Sequence, residues 1–198
     1  MVLRFLLVVA VLLVGLGAAA LSAGAGGVPA GDALAARVNA AYERIIGNQV
    51  ETNLGGVRER ISQVLRKGRV VAETAILRDG TSTTVLVKRE GGSTFAREPG
   101  RACWRSVRAS DPLDLKDVGN RVLNRAALKF GKPRLTKGGW KLPFVYSDSQ
   151  RTTTSVLTVD PQTMLIRSDL LVKPLAAVSY FKRLKVAPSI PITQPRCQ

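Results

Sequence analysis

The feature that most constrains this chain is a succession of short β-branched segments, each closed by a turn signal. Val70 to Leu77 ends at Asp79-Gly80, Thr83 to Lys88 ends at Gly91-Gly92, and Thr94 to Arg97 runs to Pro99-Gly100 before Ala102 to Val107, which carries Trp104. β-branched side chains suit a pleated, half-buried surface, and the Gly and Pro pairs supply the reversals, so these segments are predicted to form successive hairpins of an antiparallel sheet. A second group follows: Trp140 to Tyr146, Thr152 to Val159, Met164 to Val172 and Val178 to Val186. Asp160-Pro161-Gln162-Thr163 separates two of its members, with aspartate first and proline second as a β-turn requires. In Ile166-Arg167-Ser168-Asp169-Leu170 apolar and polar residues alternate, which predicts one dry face and one wet face.

Helical spacing appears in two places. Asp32 is placed to cap a helix whose apolar positions Leu34, Val38, Ala41, Tyr42 and Ile45 share a stripe, and Gly47-Asn48 stops it. Ser110-Asp111-Pro112 opens a second, with Leu115, Val118, Val122 and Ala126 repeating up to Lys129 and Gly131. Between the first helix and the strands, Val57, Ile61, Val64 and Leu65 fit a helix face, while Val57, Ile61 and Leu65 equally fit one side of a strand. The fold class is α+β, in the order helix, strands, helix, strands.

The N-terminus addresses the chain. Arg4 precedes an unbroken apolar run from Phe5 to Leu21, followed by small residues through Gly27. A positive residue, an apolar core and small residues form an export signal, with cleavage expected after Ala25 or Ala30. The alternative is an uncleaved anchor, because the run is nearly long enough to span a bilayer. Leu21-Ser22-Ala23 looks like the start of a lipobox, but Gly24 stands where the lipidated cysteine belongs. The chain then divides into residues 1–30 as signal and cleavage region, 31–187 as one domain, and 188–198 as a tail punctuated by Pro188, Pro191 and Pro195.

An exported domain of this kind is strongly basic. Thirty Lys and Arg against fourteen Asp and Glu give a formal net charge of +16, of which the signal holds only Arg4. Outside the cytoplasm, anionic membrane surfaces and wall polymers are the polyanions such a surface meets, and no nucleic-acid motif is present. Two cysteines, Cys103 and Cys197, form an even pair in an oxidising compartment, which favours a disulfide; two free thiols or an intermolecular bond are the alternatives.

Catalysis has little to draw on. The chain contains no histidine, hence neither the usual general base nor the commonest metal ligand. Two distant cysteines give no zinc spacing, and no cofactor motif occurs. Ser179-Tyr180-Phe181-Lys182 matches Ser-x-x-Lys, but it lies in a strand pattern without the accompanying motifs. A non-enzymatic role is expected.

The order of segments resembles the lipoprotein-carrier (LolA-like) family of envelope proteins. The resemblance rests on the leading helix, on Val87-Lys88-Arg89 followed by Pro99 and Trp104, on Trp140-Lys141-Leu142, and best of all on Leu157 to Thr163 leading into Leu165-Ile166. It implies an open antiparallel half-barrel covered by helices, with an apolar cavity for acyl chains. In such a fold the candidate groove residues are Val38 and Tyr42 on the first helix, and Ile76, Val85, Val87, Trp104, Phe144, Leu157, Val159, Ile166 and Leu170 on the strands. The same side chains could equally form a closed core. The function expected is that of an exported carrier that binds lipid or an acylated protein, with basic residues meeting anionic head groups. The alternatives are a membrane-tethered envelope sensor and a binder of wall polymer.

Overall fold

The computed structural model describes residues 29–111, 113–123, 128–147, 152–173, 176–191 and 197. The expected signal, with Arg4 and Gly24, lies outside the described residues except for its last two positions. Among the described residues one helix, α1 (Gly31–Tyr42), precedes twelve strands: β1 (Gly47–Leu54), β2 (Val57–Arg66), β3 (Arg69–Asp79), β4 (Ser82–Arg89), β5 (Thr94–Arg97), β6 (Arg105–Val107), β7 (Leu128–Phe130), β8 (Arg134–Thr136), β9 (Gly139–Ser147), β10 (Thr152–Val159), β11 (Ile166–Lys173) and β12 (Ala177–Leu184). They form one antiparallel sheet in the order β6-β5-β4-β3-β2-β1-β12-β11-β10-β9-β7, with β8 on β9. Two meanders are therefore joined where the first strand meets the last. The ends, β6 and β7, do not pair, so the sheet is open.

Residues 57–66 settle as strand. Gly55 and Gly56, both at positive φ (58° and 90°), turn β1 into β2, as the paired glycines of a tight hairpin do. The expected second helix is not formed over the described residues of 113–123, and Leu128–Phe130 is strand. The backbone there is satisfied by other partners. Val70 N donates to Asn120 O at 2.7 Å and Gly119 N to Val70 O at 2.7 Å, while Leu115 N donates to Thr94 Oγ1 at 3.1 Å. Leu115, Val122 and Leu123 are nonetheless buried, so the apolar spacing reported burial and not helix. Among the described residues the open sheet is accordingly covered by one helix, assisted by this loop. Its cap also differs from expectation: the N-cap is Ala30, without a side-chain bond, and Asp32 lies inside the first turn, where its charge favours the helix N-terminus.

α1 rests on the face we call inner. Leu34, Val38 and Tyr42 pack there on Leu142, Leu157 and Val159 within one buried cluster. Asn39 fastens the helix to the loop: its Nδ2 donates to Leu123 O and its Oδ1 accepts from Leu123 N, both at 2.9 Å. A second cluster, Ile61, Ala75, Leu77, Leu86, Ala96 and Val107, fills the inner face of β2–β6 under Leu115. Polar side chains run between the two clusters. Asn48 donates to Gln63 at 3.2 Å, Gln63 donates to Glu73 at 2.8 Å, and Lys88, opposite Glu73, bonds Asp114 at 3.0 Å.

The C-terminal segment crosses the other, outer face. Gly47 accommodates it, since a Cβ there would lie 2.9 Å from Pro188 Cδ. Arg89 Nη2 donates to Ile190 O at 3.3 Å, Cys197 N donates to Trp104 O at 2.9 Å, and Cys103 and Cys197 are bonded to each other.

Candidate functional site

In an antiparallel sheet, directly opposed residues share a face, so register alone assigns each candidate groove residue. Phe144, Leu157, Val159 and Ile166 face inward and join Val38 and Tyr42 in the buried cluster. Burial raises the Tyr42 phenol pKa, against a backbone hydrogen bond at Ile166. These six belong to one buried cluster. Ile76 and Val85, opposed to each other, and Val87, opposed to Thr74, face outward. Trp104 is on that side too, its ring 5.2 Å beneath the Arg97 guanidinium. Leu170 is outward as well, and 42% exposed. The eleven residues thus divide between two faces and do not line one groove.

The division has a structural cause in β11. Val159 opposes Ile166 whereas Thr158 opposes Ser168, so Arg167 is an extra residue. Such a bulge reverses the alternation after it. Asp169 and Leu171 turn inward and Leu170 outward, contrary to the simple alternation. Asp169 is buried, its pKa pushed up to about 6 by burial against a hydrogen bond from Ser155, and its Oδ1 has no partner among the described residues. Asp169 continues an inner-face row with Ser179, Thr52 and Glu59, in direct register across four strands. Glu59 is partly buried and pushed up to about 7, by burial first and by Glu73 second. Ser179 shares a hydrogen bond with Thr52 (2.8 Å), while Lys182 pairs with Gln49 on the outer face. Ser179 and Lys182 therefore point to opposite sides, which removes the Ser-x-x-Lys arrangement.

An open concavity lies at one end of strands β1, β2, β3 and β12. It has a volume of about 360 Å³, within the range of small-molecule sites, and its lining includes Arg58, Arg60, Arg78, Ile76, Val178 and Tyr180. Arg60 Nε is 2.9 Å from Glu51 and is neutralised by it. Arg58 and Arg78 are directly opposed across β2 and β3, both exposed, with no carboxylate partner among the described residues. Like charges in direct opposition destabilise a sheet, so the pair forms a site whose repulsion an anion would relieve. Ile76, Val178 and the 64%-exposed Tyr180 supply apolar surface beside it. Of these, sequence reasoning found only Ile76. The legible signal was Gly55-Gly56, which fixes Asn53 opposite Arg58.

Among the described residues no group of three or more His, Cys, Asp or Glu could hold a metal ion, and no helix is long and apolar enough to cross a membrane. No family model matches the chain, and no curated protein does. Its arrangement of strands is similar to that of solved structures. A domain from Vibrio parahaemolyticus described as outer membrane lipoprotein-sorting is 8% identical, over 78% of this chain and 89% of that one, with a TM-score of 0.42. A chain of the Pseudomonas aeruginosa MucA/MucB complex is 14% identical, over 80% of this chain, with a TM-score of 0.36, and this chain spans 58% of its length. At this distance the similarity describes an arrangement of strands, and the site must be read from its own residues.

Proposed function

We propose that this chain is an exported, non-catalytic protein that binds an anionic amphiphile, such as a lipid or an acylated protein, at the arginine cleft. The observation that supports this is the opposed pair Arg58 and Arg78 beside Ile76, Val178 and Tyr180. The guanidinium groups take the head group, since arginine matches phosphate and carboxylate geometry with paired donors. The first methylenes of the acyl chain lie on the apolar side chains, each contributing about 0.8 kcal/mol where fully buried. The basic surface as a whole, in a chain of formal net charge +16, draws the protein towards anionic partners. Compared with the groove first expected beneath the helix, this places the ligand on the opposite face of the sheet.

Native mass spectrometry of the purified mature protein tests the reading. Co-purifying lipid, or uptake of an added alkyl phosphate, is expected. Detection of the bare polypeptide alone, with no uptake, would contradict it. Binding of wall polymer through charge alone is separated by salt, because it falls steeply with ionic strength whereas apolar burial persists.

A further inference from the structure

The outer face carries a row of side chains in unbroken register: Arg78 opposes Arg58, Arg58 opposes Asn53, and Asn53 opposes Val178. Val178 opposes Leu170, Leu170 opposes Val156, and Val156 opposes Pro143. Seven strands at about 4.8 Å spacing make the row about 29 Å long. One end is cationic and the other is apolar. Leu170 (42%) in the row, Tyr180 (64%) on the same face of β12, and Val172 (44%), the extra residue at a second irregularity of β11, are exposed, and they are half of the exposed large apolar residues among those described. Farther along the same face, the C-terminal segment passes Gly47 and Arg89 and is pinned at Cys103, where Val87 and Trp104 are buried. Among the described residues, the segment therefore covers one end of the outer face, and none covers the end with this row.

We infer that this bare end is a docking surface for an anionic membrane. The occupant is indicated by charge: two arginines without carboxylate partners among the described residues stand in line with an aliphatic strip, and exposed Lys182 lies on the same face of β12. A lipid surface offers anionic head groups above an apolar layer, and a row about 29 Å long meets several lipids at once. Each basic residue near such a surface adds attraction, and the aliphatic side chains and Tyr180 enter the interface. The inference rests on reading Arg58 and Arg78 as an anion site, and extends that reading from one bound molecule to the bilayer that holds it.

The test is co-sedimentation of the mature protein with phosphatidylcholine vesicles, with and without phosphatidylglycerol, beside binding of dodecyl phosphate in solution. Docking is expected only where phosphatidylglycerol is present. Leu170→Asp combined with Val172→Asp should weaken it roughly tenfold or more, by removing buried apolar surface, while leaving dodecyl phosphate binding and the melting curve unchanged. Equal docking to both vesicle types, or undiminished docking of the double variant, overturns the inference. So does a concentration-dependent dimer that the double variant abolishes, with no vesicle docking, since the strip is then covered by a second copy. Dodecyl phosphate bound without docking overturns the inference alone. Docking without dodecyl phosphate binding overturns the single-ligand reading alone.

Discussion

Arg58 and Arg78 are where function and stability pull apart. Opposed like charges in a sheet cost roughly 0.2–1 kcal/mol, so Arg58→Gln or Arg78→Gln should leave the ligand-free protein as stable or slightly more so, while weakening its hold on an alkyl phosphate. Thermal denaturation with and without ligand reads both effects. A variant that melts lower and binds as before would assign the arginines to the fold. The buried acids make a separate prediction. Glu59 is held at about 7 and Asp169 at about 6 by burial, and Glu73 is raised for the same reason, against Gln63 and Lys88. Unfolded carboxylates titrate near 4, so between these values the native state holds protons that the unfolded state has lost. Stability should therefore increase as pH falls from 8 towards 5, and be lost as pH rises through 6–7. Asp160 acts in the opposite sense: a backbone bond from Thr163 first and the Arg167 guanidinium second hold it near 2, so its contribution fails only below about pH 4. Melting temperatures across pH 4–8 check the sign, and Glu73→Gln should flatten the curve.

At the scale of elements, α1 depends on few anchors, and Asn39 is the polar one. Asn39→Ala leaves Leu123 N and O without their buried partner and should cost on the order of 2–4 kcal/mol. Hydrogen exchange should show α1 and the 113–123 loop loosening together, whereas unchanged protection would mean apolar packing alone holds them. Strand existence was legible because β-branched runs and turn residues act locally: β3, β4, β5 and β10 lie close to where the sequence placed them. Faces were legible only up to the first bulge. Leu65 opposes Val70 while Val64 opposes Ala72, leaving Val71 extra. Without that extra residue Arg58 would oppose Leu77, and the arginine pair would not exist. Arg167 does the same to Leu170. The missing second helix has a related cause, because residues 113–123 bury leucines while their backbone bonds to β3 and to Thr94, a choice made by tertiary partners and invisible in spacing.

For the whole molecule, the disulfide is what ties the two meanders across the outer face. It closes a loop of sequence separation 94, for which the chain-entropy model gives roughly 4–5 kcal/mol. Cys103→Ser with Cys197→Ser should lower the melting temperature substantially and increase protease cleavage of the C-terminal segment; an unchanged melting temperature would show that the strap is held by Pro188 and Ile190 alone. The central claim is that an anionic head on an alkyl chain is recognised by the arginine cleft on the open face of the sheet. The most direct measurement compares the affinities of dodecyl phosphate and dodecyl maltoside, identical in chain and different in head, for the mature protein and for the Arg58→Gln, Arg78→Gln variant. The account predicts clear preference for the phosphate, lost in the variant. Equal affinities in the unaltered protein, or a preference that survives in the variant, would contradict it.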